Sequence, residues 1–200
     1  MRLLVLSVVG AMLPFACSRS SPSSLDVRHD AAPEASVSGQ DAPADASLAH
    51  DVMLPGTAID VAVGEDHGCL LTSGKRVACW GYTGLGATGV FTALHGRGAG
   101  VCAVPRLVPA LTDIVEVVAA PRYTCTRDAQ GTVHCFGGRH ATPRRVEGVK
   151  ASGIALGEAG LCAIAEEGRV LCSASAEPQS ALVEIPGLAP AESVHVGADS

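Results

Sequence analysis

Six cysteines in three pairs offer the most chemistry in this sequence: Cys69 with Cys79, Cys125 with Cys135, and Cys162 with Cys172, each pair ten positions apart. Paired thiols oxidise to disulfides, ligate a metal, or stay reduced in an apolar core. Each pair brackets a turn: Thr72-Ser73-Gly74-Lys75, Asp128-Ala129-Gln130-Gly131 and Glu166-Glu167-Gly168-Arg169. A small or acidic residue followed by glycine suits a hairpin loop whose last residue takes positive φ. Cysteines facing each other across such a hairpin, at a non-hydrogen-bonded position, have α-carbons about 4.5–5.5 Å apart, within reach of a disulfide. Metal ligation has His67-Gly68-Cys69 and His134-Cys135 in its favour, but no Cys-x-x-Cys occurs, and the place of His67 is taken by Tyr123 and Gly160 in the other pairs. Three disulfides, each within one hairpin, are expected; reduced core cysteines and metal are the rivals. Cys102 is left over, as a lone thiol, an intermolecular bridge, or a partner for a cysteine past residue 200.

Other candidate chemistry is thinner. Gly84-Leu85-Gly86-Ala87-Thr88-Gly89 spells the dinucleotide fingerprint, but no sustained helix follows and no acid stands near Arg106, so nothing would hold a pyrophosphate or a ribose. Arg144-Arg145, with Arg139 and His140, is the sole basic cluster and reads as a solvated strand end or an anionic rim contact. Carboxylates are scattered, and no nucleophile elbow, zincin or phosphate-loop motif is present. No enzyme activity, cofactor or metal site is expected. Trp80 recurs as Phe136 in the second pair and reads as a core aromatic.

The elements that position these groups form a repeat. Val63-Gly64-Glu65-Asp66-His67-Gly68-Cys69, Ala119-Ala120-Pro121-Arg122-Tyr123-Thr124-Cys125 and Leu156-Gly157-Glu158-Ala159-Gly160-Leu161-Cys162 open three copies, and Val196-Gly197-Ala198-Asp199-Ser200 opens a fourth. Alternation in Ile59, Val61 and Val63, and in Ile114, Glu116 and Val118, predicts short strands. A further shared segment begins at Pro105, Pro143 and Ser180. It follows the second cysteine by 26 residues in copy one and by 8 in the others, so copy one carries 18 extra residues between Gly81 and Val104. A strand, a hairpin and a fourth strand make a four-stranded antiparallel unit, and such units in tandem are the blades of a β-propeller.

His67, Gly74, Val77, Trp80, Gly81, Gly84, Leu85 and Gly86 resemble the repeat of the regulator of chromosome condensation family. The likeness is good in copy one, partial in copy two, and faint in copy three, where Ser173-Ala174 replace Trp-Gly. It covers roughly residues 57–200. It implies an all-β, incomplete propeller of about three repeats plus the start of a fourth, over 57–111, 112–149, 150–188 and 189–200. It also implies protein–protein binding as the commonest use, with nucleotide exchange on a small GTPase and inhibition of an enzyme as family precedents.

Composition agrees with a turn-rich β protein: 48% apolar residues but 3% aromatic, with 23 Gly and 12 Pro in 200 residues. Of the net charge of −6, residues 18–56 carry −4 and residues 57–200 carry −3, offset by Arg2. The folded part therefore lacks the cationic excess that nucleic acid favours, and no nucleic-acid partner is expected. Residues 1–17 read as a signal peptide of a bacterial exported type, with Arg2, an apolar run Leu3–Leu13, and Cys17 where a lipoprotein carries its lipid. Ordinary secretion or an uncleaved anchor are the alternatives, and all three export the chain. Residues 18–56, rich in Ser, Ala, Pro and Asp, cannot bury enough apolar surface to order and read as a flexible tether.

The sequence thus describes a non-enzymatic protein-interaction module at the cell envelope, touching the membrane only through an N-terminal lipid. A hydrolase whose site lies in a missing portion is the enzyme alternative. The long loop of copy one is the candidate recognition surface, through Tyr82, Leu85, Phe91, Leu94, His95 and Arg97. Aromatic and arginine side chains of this kind dominate binding hot spots.

Overall fold

The structure, a computed structural model, describes residues 54–89, 100–173, 175, 177–178 and 180–197. Cys17, the tether up to residue 53, and Phe91, Leu94, His95 and Arg97 lie outside the described residues.

Among the described residues, twelve strands form three four-stranded antiparallel sheets, each in chain order. The first sheet holds β1 (Ala58–Val63), β2 (His67–Thr72), β3 (Val77–Tyr82) and β4 (Val101–Leu107). The second holds β5 (Ile114–Ala120), β6 (Tyr123–Asp128), β7 (Val133–Gly137) and β8 (His140–Arg145). The third holds β9 (Gly153–Gly157), β10 (Gly160–Ile164), β11 (Val170–Ser173) and β12 (Leu182–Glu184). These are three propeller blades in a row.

The central hairpins share one register. Thr72 N–H donates to Arg76 C=O at 2.9 Å, Asp128 to Thr132 at 3.0 Å, and Ala165 to Arg169 at 2.8 Å. Hydrogen-bonded and non-hydrogen-bonded pairs alternate outward from there, so Cys69–Cys79, Cys125–Cys135 and Cys162–Cys172 fall on non-hydrogen-bonded positions. All three pairs are disulfides, with α-carbons 4.0, 4.1 and 4.1 Å apart. Cys102 is also disulfide-bonded, which corrects its reading as a lone thiol.

The turn glycine needs a second correction. Each three-residue loop ends on a left-handed residue, Lys75 (φ 56°), Gly131 (φ 81°) and Gly168 (φ 76°), with Glu167 (φ 61°) left-handed as well in the third, so Gly74 is not the counterpart of the other two glycines. A β-carbon on Gly74 would instead run into the Pro55 carbonyl. The left-handed residue also ties one blade to the next. Ile114 N–H donates to Lys75 C=O at 3.1 Å, Ala151 to Gly131 at 2.8 Å, and Ala191 to Gly168 at 2.8 Å. Residues 191–197 therefore enter where the first strand of a fourth blade belongs.

The expected alternation in β5 breaks at a bulge. Ile114 pairs with Asp128 and Glu116 with Arg127, so Val115 is the extra residue, and the core takes Ile114 and Val117 instead of a run of every second residue. Two cores sit between blades. One packs Leu71, Val77, Val108 and the first disulfide against Ile114, Val117 and Phe136. The other packs Val133, Val146, Val149 and the second disulfide against Ile154, Leu156 and Leu161. The blades thus bury apolar faces on one another, and each fully covered side chain contributes roughly 1.5–3 kcal/mol.

Candidate functional site

The long loop of copy one leaves β3 at Tyr82 and returns at β4. Its base is pinched: the Thr83 backbone N–H and hydroxyl both donate to Gly100 C=O, at 2.9 and 2.8 Å. Two tight turns follow, with Gly86 N–H donating to Thr83 C=O and Gly89 N–H to Gly86 C=O, each at 3.0 Å. Gly86 (φ 73°) and Gly89 (φ 69°) supply the left-handed backbone for these turns. The glycines of the fingerprint-like run are turn residues lying on blade two, where Arg139 N–H donates to Leu85 C=O at 2.8 Å. Tyr82 and Leu85 are half-buried, and Thr83, Ala87 and Thr88 are buried. The first part of the loop is therefore a strap between blades.

A buried polar chain fastens that strap. Thr124 of β6 donates its hydroxyl proton to Ala87 C=O at 2.8 Å. The hydroxyl has no second proton, so its 2.8 Å contact with His67 of β2 has the ring Nε2–H as donor. Cys69 Sγ lies 3.6 Å from the same oxygen. Burial pushes the His67 imidazole below its ordinary pKa, with Asp66 opposing in part. His67, one half of the zinc alternative, is a neutral donor here, and Cys69 and Cys135 are spent on disulfides. Among the described residues no group of three His, Cys, Asp or Glu side chains is placed to hold a metal ion. Thr124 escaped the sequence reading. The signal was available, as a hydroxyl at a position that is Gly68 in copy one and Leu161 in copy three.

Trp80 and Phe136 occupy matching places with different surroundings. Phe136 is fully buried against blade one, whereas Trp80 is half-buried and lies over Gly68 of its own blade. The glycine after each aromatic is needed, since a β-carbon on Gly81 would strike the Asp66 carbonyl and one on Gly137 the Arg122 carbonyl. Arg144 and Arg145 stand exposed on β8, with Arg145 3.6 Å from Glu147. Glu116 of β5 accepts from Arg127 Nε at 2.7 Å and from Ile154 N–H at 3.3 Å, joining blades two and three beside an open groove of about 650 Å³ along the first strands. The arrangement offers shape, hydrogen bonds and charge for a macromolecular surface.

These features define a β-propeller arc. Residues 58–86 match the model of the regulator of chromosome condensation (RCC1) repeat, so the repeat of blade one is of that type. Human WBSCR16 is similar in structure at 20% identity and TM-score 0.56, over 66% of this chain and 39% of that one. Prp20p from Saccharomyces cerevisiae, whose structure was described together with its binding to Gsp1p and histones, is similar at 16% identity and TM-score 0.53, over 65% of this chain and 38% of that one. Yeast RCC1 (Prp20) bound to Kap60 is similar at 16% identity and TM-score 0.50, over 58% and 32%. At these identities the likeness establishes the fold, and the match spans about two fifths of the length of the first two structures. No curated protein sequence matches this chain.

Proposed function

We propose that this chain is an exported, non-enzymatic interaction module, held at the cell envelope by lipid on Cys17 and by the 18–56 tether, that binds a protein partner through the long loop of copy one. The pinched base of that loop carries the reading. Thr83 is bonded to Gly100 at the base of the loop, and the strap ties Leu85 and Ala87 to blade two, so the described root of the loop is fixed to the scaffold. Anchoring a recognition loop on a rigid scaffold lowers the ordering entropy of binding. Disulfides in every blade support an oxidising compartment. Binding to proteins by Prp20p, a structure of the same fold, supports the class of partner.

The test keeps the strap, because residues 83–89 are part of the fold. Phe91, Leu94, His95 and Arg97 are changed together to serine, and the protein is crosslinked to its partner in the cell envelope. The expected result is loss of the partner with the disulfide map unchanged. A partner retained at wild-type yield would move recognition to another surface.

A further inference from the structure

His67 is 6% exposed and sits where β2, β6 and the strap meet. At the junction of blades two and three the matching residues are Tyr123 and Leu161, and leucine has no hydroxyl to relay a hydrogen bond. The chain from imidazole to hydroxyl to strap carbonyl is therefore special to the first junction. With Nε2–H given to Thr124, a further proton goes to Nδ1. That edge of the ring lies against the backbone of Gly64, where a β-carbon would strike Cε1, Nδ1 and the Ala120 carbonyl. Asp66, exposed beside the ring, favours protonation but does not outweigh burial. Glu65 and Arg122 stand exposed on the turns before β2 and β6, and Gly81 is the pairing partner of His67 on β3. The Tyr123 phenol, next to Thr124, is pushed up by burial and by Glu177, against Arg122, and stays neutral. Residues 83–89 of the strap contain no titratable side chain.

We propose that His67, Thr124 and Ala87 form an acid-operated latch: a proton taken up by His67 frees the strap, residues 83–89, from blade two while the blades stay folded. A cation at this buried ring needs water. β2 and β6 are costly to move, because each is hydrogen-bonded to a strand on both sides and stapled by a disulfide. The strap belongs to no strand, and its ties to blade two include Arg139 N–H on Leu85 C=O and the Thr124 hydroxyl on Ala87 C=O. Its two turns close within the strap, through Gly86 N–H on Thr83 C=O and Gly89 N–H on Gly86 C=O, so it lifts as a unit. Segments outside the sheets open locally at lower free energy than core strands. His67 binds its proton less readily with the strap closed than with it open, where the ring returns to its ordinary 6.5, so acid favours the open form. The latch works whatever the loop binds, and it stands or falls apart from any partner.

The test is hydrogen exchange of the purified, oxidised chain, read by mass spectrometry at about pH 7.5 and about pH 5 and corrected for intrinsic rates. Below pH 6.5 the opening constant of the strap should rise by up to about tenfold per pH unit, so a peptide covering 83–89 should exchange up to about thirtyfold faster at pH 5. Peptides from β6 and β10 should keep their protection. His67→Gln keeps a side-chain N–H for Thr124 but does not titrate, so its strap should exchange alike at both pH values. Thr124→Val removes a tie outright, so its strap should exchange fast at both. Retained protection in β6 and β10 shows that each variant is folded, and the wild-type comparison of strap with blades decides even without them. A wild-type strap equally protected at both pH values overturns the proposal. So does a strap that loses protection only together with β6, acid opening that persists in His67→Gln, or a strap that stays closed in folded Thr124→Val.

Discussion

Replacing Thr124 by valine isolates the polar chain that joins blade one, blade two and the strap. Valine keeps the shape of threonine, so packing in the interface is preserved and only the hydroxyl is lost. That hydroxyl serves two buried partners, His67 Nε2–H and Ala87 C=O, each at 2.8 Å. A buried polar group left without its hydrogen bond costs about 1–3 kcal/mol, so two orphans should destabilise the protein by about 2–4 kcal/mol. That is a large share of the roughly 5–15 kcal/mol by which a domain is stable. Urea denaturation followed by Trp80 emission reads the loss, since Trp80 is on the blade that His67 belongs to. His67→Leu removes one of the orphans, so the double variant His67→Leu/Thr124→Val should be less damaged than the sum of the two singles by about 1 kcal/mol or more. A cost for Thr124→Val below about 0.5 kcal/mol, the range of ordinary surface changes, or strictly additive effects, would refute the reasoning.

Acid should weaken the fold through the same histidine. His67 binds its proton less readily folded than unfolded, where the ordinary value is 6.5, so the unfolded chain takes up more protons as the pH falls. Stability should therefore be full above pH 6.5 and decline below it, by at most about 1.4 kcal/mol per pH unit from this group, and His67→Gln should flatten that decline. Removing the Cys125–Cys135 bridge by a double alanine substitution should cost about 2–3 kcal/mol, the chain-entropy value for a separation of ten residues, and an unchanged denaturation midpoint would contradict it. Mass spectrometry of the mature N-terminus should find lipid on Cys17, and an unmodified start elsewhere would remove the anchor while leaving export intact.

Much of this architecture is legible in residue spacing because a repeat states its own alignment. A spacing of ten positions, with a turn at its middle, sets the hairpin register, and the register brings Cys69 to Cys79. What escapes is what differs between copies. Lys75 adopts the left-handed conformation without being glycine, since its carbonyl is needed by Ile114, and no local propensity announces that demand. The bulge at Val115 depends on pairing with β6, a partner the alternation within β5 does not report. Thr124 matters because His67 and Ala87, 57 and 37 positions away in sequence, converge on one hydroxyl. Of the candidate loop, Tyr82 and Leu85 proved to be set into its root, half-buried at the strap.

Disulfide mapping of the chain recovered from the cell envelope, alkylated before any reduction, tests the account most directly because it joins fold and compartment in one measurement. The bridges predicted within single blades are Cys69–Cys79, Cys125–Cys135 and Cys162–Cys172. Alkylated thiols at these six positions, or bridges running from one blade to another, would contradict an exported row of internally stapled blades.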